Sequence, residues 1–77
     1  MLSQEFKKVV KGKNFMTPNV IGYYQIANGV AELSYGMGFN HRYVFGVTVV
    51  QNKKHNSELS DLFFDKKEAI EYIASLQ

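Results

Sequence analysis

A chain of seventy-seven residues with a formal net charge of +2 and no cysteine can hold one domain and no disulfide framework or thiolate metal site. So small a domain buries only about 60% of the surface its unfolded form exposes, and so small a charge does not by itself call for nucleic acid. Six Phe and five Tyr, with no Trp, are left to carry the core, each able to bury roughly 150–250 Å².

Leu2, Phe6, Val9 and Val10 recur at helical spacing and predict a first helix of about three turns. Gly12 suits its end, and Lys8 and Lys11 suit the negative pole of its dipole. A helix this short forms only by docking. Residues 13–19 are a connector in which Pro18 disfavours helix at Thr17. Residues 20–27 and 30–35 then alternate in polarity around Asn28-Gly29, the pair that best supplies positive φ at both centres of a type I′ turn. That turn sets Ala27 opposite Val30, Ile26 opposite Ala31, Tyr24 opposite Leu33 and Gly22 opposite Tyr35. One face collects Gly22, Tyr24, Ile26, Ala31, Leu33 and Tyr35, the other Tyr23, Gln25, Glu32 and Ser34. A slip of one residue would exchange the two sets.

Residues 36–42 read as a loop. Residues 43–50 are the strongest strand, with Tyr43, Phe45, Val47 and Val49 on one face and Val44, Gly46, Thr48 and Val50 on the other. A polar turn over 51–57 leads to a shorter edge strand over 58–64. Asp65 is the N-cap of a closing helix with Glu68 at N3, and Phe64 is placed to staple onto Ala69. Ala69, Ile70, Ile73 and Leu76 form its buried stripe. The expected fold is α+β over a single domain, 1–77. It is a three- to four-stranded antiparallel β-meander in the order α-β-β-β-(β)-α, with the N- and C-terminal helices packed on one face.

Chemistry is sparse. His41 and His55 lie in separate loops without metal-ligand spacing. Ser34, Ser57, Ser60 and Thr48 sit in no nucleophile elbow. Gly36-Met37-Gly38 lacks the third glycine and the following helix of a dinucleotide loop. No catalytic residue, metal or cofactor is assigned, and the chain reads as a non-enzyme. No apolar run reaches the length of a membrane span, so the expected location is cytoplasmic. Charge is uneven along the chain: Lys7, Lys8, Lys11 and Lys13 against Glu5 give +3 over residues 1–13. Those four lysines are the best nucleic-acid candidates, although the solvated face of a short helix looks the same.

If both helices cover the Tyr24/Leu33 face, the reverse of the sheet stands open. It would present Tyr23, Gln25, Val44, Thr48 and Val50, and tyrosine among polar residues suits a protein-binding surface. Met37, Phe39, His41 and Arg42 border it, and Met37 and Phe39 must either close the core or meet a partner. The expected partner-binding set is therefore Tyr23, Gln25, Val44, Met37, Phe39, His41 and Arg42.

Three runs carry a resemblance: Val-Ala-Glu-Leu-Ser-Tyr-Gly at 30–36, Val-Phe-Gly-Val-Thr-Val at 44–49, and Phe-Phe-Asp-Lys-Lys-Glu-Ala-Ile-Glu-Tyr-Ile at 63–73. In these the chain resembles small orphan α+β proteins of bacteriophages and mobile elements of Gram-positive bacteria. The resemblance transfers no functional residue. It implies an accessory protein or inhibitor that binds a host protein. Pairing through an edge strand, including self-association into a homodimer, is a variant of that expectation. The alternative is nucleic-acid or nucleotide binding through the lysine cluster.

Overall fold

Four runs of alternating polarity pair into one antiparallel sheet in the computed structural model, which describes Phe6, Val9 and residues 16–38 and 41–77. Strands β1 (Asn19–Ile26), β2 (Gly29–Met37), β3 (Tyr43–Gln51) and β4 (Lys54–Phe63) lie in the order β1-β2-β3-β4, followed by helix α1 (Lys66–Ser75). The meander thus has four strands and a C-terminal helix. The helix expected near the N-terminus lies outside the described residues, Phe6 and Val9 apart.

The first hairpin keeps the expected faces in a different register. Ile26 pairs with Gly29, Tyr24 with Ala31, Tyr23 with Glu32 and Gly22 with Leu33. The loop is therefore Ala27-Asn28, and only Asn28 takes positive φ, at 63°. The type I′ reading of Asn28-Gly29 is corrected. From Gly22 to Ile26 each partner moves by two positions on β2, so the alternation of side chains survives there. Gly29 serves another purpose: a Cβ there would lie 1.8 Å from the Val50 carbonyl oxygen. Close backbone approach excludes any side chain at that position.

The pair of adjacent positive φ values appears instead at Asn52 and Lys53, at 52° and 64°. They join Gln51 to Lys54 in a tight hairpin. The polar turn expected over 51–57 is consequently two residues, and β4 is longer than expected. Between the pairs Val49–Asn56 and Val47–Asp61, Thr48 alone faces residues 57–60. Side chains hold this bulge: Asn56 Oδ1 accepts from the amides of Glu58 and Leu59, at 3.1 and 3.3 Å. Ser60 Oγ accepts from the Val49 amide at 2.9 Å.

Helix α1 begins where expected, with the Asp65 carboxylate accepting from the Lys67 amide at 2.9 Å. Its buried residues are Ala69 and Ile73. Ile70, 42% exposed, is displaced from the expected stripe by Tyr72, whose hydroxyl donates to the Leu59 carbonyl at 2.6 Å. Ala69, Tyr72, Ile73 and Leu76 follow i, i+3, i+4, i+7, and Ile70 lies about 100° around the axis from Ala69. The helix packs over Ile26, Ala31, Leu33, Val47 and Val49. Its last turn is fastened by the Ala27 amide, which donates to the Leu76 carbonyl at 2.9 Å.

The reverse face is covered, which corrects the expectation that it stands open. Phe6 is 4% exposed and packs with Val30 and Val50, with Val9 and Tyr23 alongside. Its ring meets Tyr23 edge-on at 5.4 Å between centroids. Phe6 and Val9 therefore lie across the sheet from α1, not on one face with it. Farther along, Met16, Thr17 and Pro18 cross the same side. A Cβ on Gly36 would fall 2.2 Å from the Met16 carbonyl oxygen, and one on Gly46 would fall 2.6 Å from Thr17 Oγ1. The Ser34 hydroxyl donates to Thr17 Oγ1 at 2.8 Å, so the buried polar pair is satisfied.

Candidate functional site

The two sides of the sheet treat the expected partner-binding residues differently. Val44 is 5% exposed and belongs to the covered side. Tyr23 is half-buried against Phe6, while Gln25 stays exposed near the edge of the sheet. These three form no open surface. Met37, His41 and Arg42 are exposed and lie at the opposite end of the sheet from the Ala27-Asn28 turn. Phe39 lies outside the described residues, as do Lys7, Lys8, Lys11 and Lys13, so the nucleic-acid candidates have no place in the described surface.

Tyr23 and Glu32 show why the covered side is structural. Glu32 is 8% exposed. Burial raises its carboxyl pKa above the ordinary carboxylate value, and the hydrogen bond donated by the Tyr23 hydroxyl opposes the rise. Tyr23 is itself raised, by burial first and by Glu32 second. A carboxyl with a raised folded pKa contributes its stability below the unfolded value and loses it as pH rises through the folded one. Stability is thus expected to fall as pH climbs from below 4.5 through the raised value. Glu32→Gln, which keeps a hydrogen-bond acceptor, should remove that decline and be the more stable protein at neutral pH. Urea midpoints measured across pH decide it; a variant weaker than the parent at neutral pH would contradict this account.

On the helix-bearing side, coverage is incomplete for a reason of length. A ten-residue helix is about 15 Å long, whereas a nine-residue strand spans about 30 Å. Since Leu76 is tied to the Ala27 turn, the helix starts near the middle of the sheet. Beyond its N-terminus the same face carries Tyr35 and Met37 from β2 and Tyr43 and Phe45 from β3. Tyr35 and Tyr43 meet edge-on at 6.0 Å. Met37 is 56% exposed and Tyr43 53%.

Two shallow hollows share Tyr43, Phe45 and Lys66. One, of about 300 Å³, adds Ile21 and Tyr35. The other, of about 730 Å³, adds His41, Arg42 and Phe64 with Asp65 and Glu68 at its rim. Phe64 does not staple onto Ala69 as expected. It is 68% exposed, and the Arg42 guanidinium lies 5.4 Å from its ring centroid, within the range of a cation–π contact. The backbone of the preceding connection is fastened by the Gly38 amide, which donates to the Arg42 carbonyl at 2.8 Å. His41 takes φ of 56° there.

Sequence reasoning reached Met37, His41 and Arg42 and missed Ile21, Tyr35, Tyr43, Phe45 and Phe64. A signal was present. A helix of ten residues that covers Val47 and Val49 cannot also cover Tyr43 at the other end of the same strand face.

One hydroxyl does lie beside a base: Ser60 Oγ and His55 Nε2 are 3.3 Å apart. The Ser60 hydroxyl already donates its one proton to the Asn56 carbonyl at 2.8 Å. His55 can then only donate to Ser60, the reverse of nucleophile activation. Among the described residues, no group of three or more His, Cys, Asp or Glu could hold a metal ion. No helix among them is long and apolar enough to cross a membrane. No protein-family model, curated protein or solved structure matches the chain.

Proposed function

We propose that this domain is a non-enzymatic protein-interaction module that binds its partner at the aromatic end of the helix-bearing face. The observation that carries the reading is the exposed set Met37, Tyr43 and Phe64 around half-buried Tyr35 and Phe45. Its rim balances Arg42 and Lys66 against Asp65 and Glu68. An apolar, tyrosine-rich centre inside a mixed polar rim is the anatomy of a protein interface. A polyanion would call for one sign of charge. In the setting that the sequence resemblance implies, the partner is a host protein and the domain an accessory factor or inhibitor.

The test couples capture to substitution. The parent protein and a Tyr43→Ala/Phe64→Ala variant are used as baits in a bacterial host lysate treated with nuclease at moderate salt. Both replaced side chains are mostly exposed, so thermal unfolding should change little. The expected outcome is one stoichiometric protein held by the parent and lost by the variant. Capture that disappears with nuclease, or that the variant retains in full, would overturn the assignment. The former result would turn attention to the lysine cluster.

A further inference from the structure

The two edges of the sheet are built differently. On β4 the edge carries Lys54, His55, Glu58 and Asp61 and is broken by the bulge opposite Thr48. Charges and bulges of this kind guard an edge against pairing with another chain. On β1 the run Asn-Val-Ile-Gly-Tyr-Tyr-Gln-Ile contains no ionisable group except the two tyrosines, and no proline. Its bulge, between Val20 and Gly22, leaves residues 22–26 regular.

The direction of the free backbone groups follows from the ladder. In the tight hairpin, Ile26 and Gly29 form the closing pair, so alternate residues Tyr24 and Gly22 exchange hydrogen bonds with β2. Asn28 carbonyl accepting from the Asn52 amide at 2.9 Å fixes the same alternation from the β3 side. Tyr23 and Gln25 therefore turn their N–H and C=O away from the sheet. Gln25 carbonyl reaches the Gln77 side chain at 3.3 Å; no other partner of these outward groups is found among the described residues. An extended strand is the ligand that such a row of donors and acceptors recognises.

We infer that the occupant is a second copy of this chain, β1 pairing antiparallel with its own two-fold mate to join the two sheets. The absence of charge is what selects a copy. Across a two-fold axis every residue meets itself or a close neighbour, and any Lys, Arg, Asp or Glu in residues 22–26 would face its own sign. Exposed Val20 and Ile21 flank the paired segment and add apolar area to it. Ile21 also lines the smaller hollow at the aromatic end, but the paired residues 22–26 take no part in it, and mass against concentration reads the dimer without reference to the captured partner.

Sedimentation equilibrium of the full chain over a range of protein concentrations tests the inference. The parent is expected to double its mass with rising concentration. Gln25→Pro removes an outward N–H and no ladder bond, while Gln25→Ala keeps it. Gly22→Lys adds a charge where a Cβ finds ordinary contact with the Tyr24 ring at 3.8 Å. The first and third should weaken dimerisation by about tenfold or more, because the two-fold repeats each change, and Gln25→Ala should not. Circular dichroism shows which variants remain folded. A parent that stays monomeric throughout, or a dimer untouched by folded Gly22→Lys, would overturn the proposal.

Discussion

Replacing Leu33 by alanine is expected to lower the unfolding free energy by about 2–5 kcal/mol, the range for deleting a buried leucine and leaving a cavity. Leu33 is fully buried, on the central strand β2, and packs in one cluster with Val47, Val49, Ala69 and Ile73. At about 0.05–0.15 kcal/mol per residue, a domain of this size has roughly 4–12 kcal/mol in total. The loss is therefore a large share of the total, and it unfolds the variant at room temperature if the parent stands at the low end of that range. Urea titration followed by circular dichroism measures it. A loss of under about 1 kcal/mol would mean that the sheet and helix can close around the gap, and that the centre of the core lies elsewhere.

The second large effect is expected at Gly29. Gly29→Ala forces a methyl group to within 1.8 Å of one backbone oxygen and 2.9 Å of the Gln51 Cα. Neither neighbour is a side chain that can rotate away, so β2 and β3 must separate. Overpacking costs typically about 1–3 kcal/mol, and a backbone clash belongs at or above the top of that range. Asn28→Ala, by contrast, meets only the left-handed backbone preference, about 1–2 kcal/mol. Asn28→Gly should be close to neutral. Comparing the three by urea unfolding separates the two roles. If Asn28→Ala proved the most damaging, the turn conformation would outweigh the strand contact.

That pair of residues also shows how far the sequence could be read. Asn28-Gly29 announces a hairpin, and the hairpin is there. The dipeptide cannot reveal that β3 runs so close to Gly29, because that contact comes from a strand more than twenty residues later. Alternation of polarity places Tyr24, Ile26, Ala31 and Leu33 on one face under either register, which is why the core survives the shift. Asp65 was legible as a cap because capping is local. The covered reverse face was not. It depends on Phe6 and Thr17, which reach across from a segment without strand or turn signals. The candidate site was half legible, through Met37 and Arg42. Its aromatic half required setting helix length against strand length, a comparison between distant elements.

The bond from the Ala27 amide to the Leu76 carbonyl changes how the domain comes apart. The Gln51 side chain also donates to the Ala27 carbonyl at 2.8 Å, so the first turn of the meander is held from the β3–β4 hairpin and from the final helical turn at once. An exposed last turn of a helix ordinarily frays first and alone. Here, releasing the last turn of α1 also strips a partner from the hairpin at the start of the sheet. The architecture is thus a ring of mutual dependence, in which the closing residues of α1 act as a clasp whose opening is felt at the turn between β1 and β2.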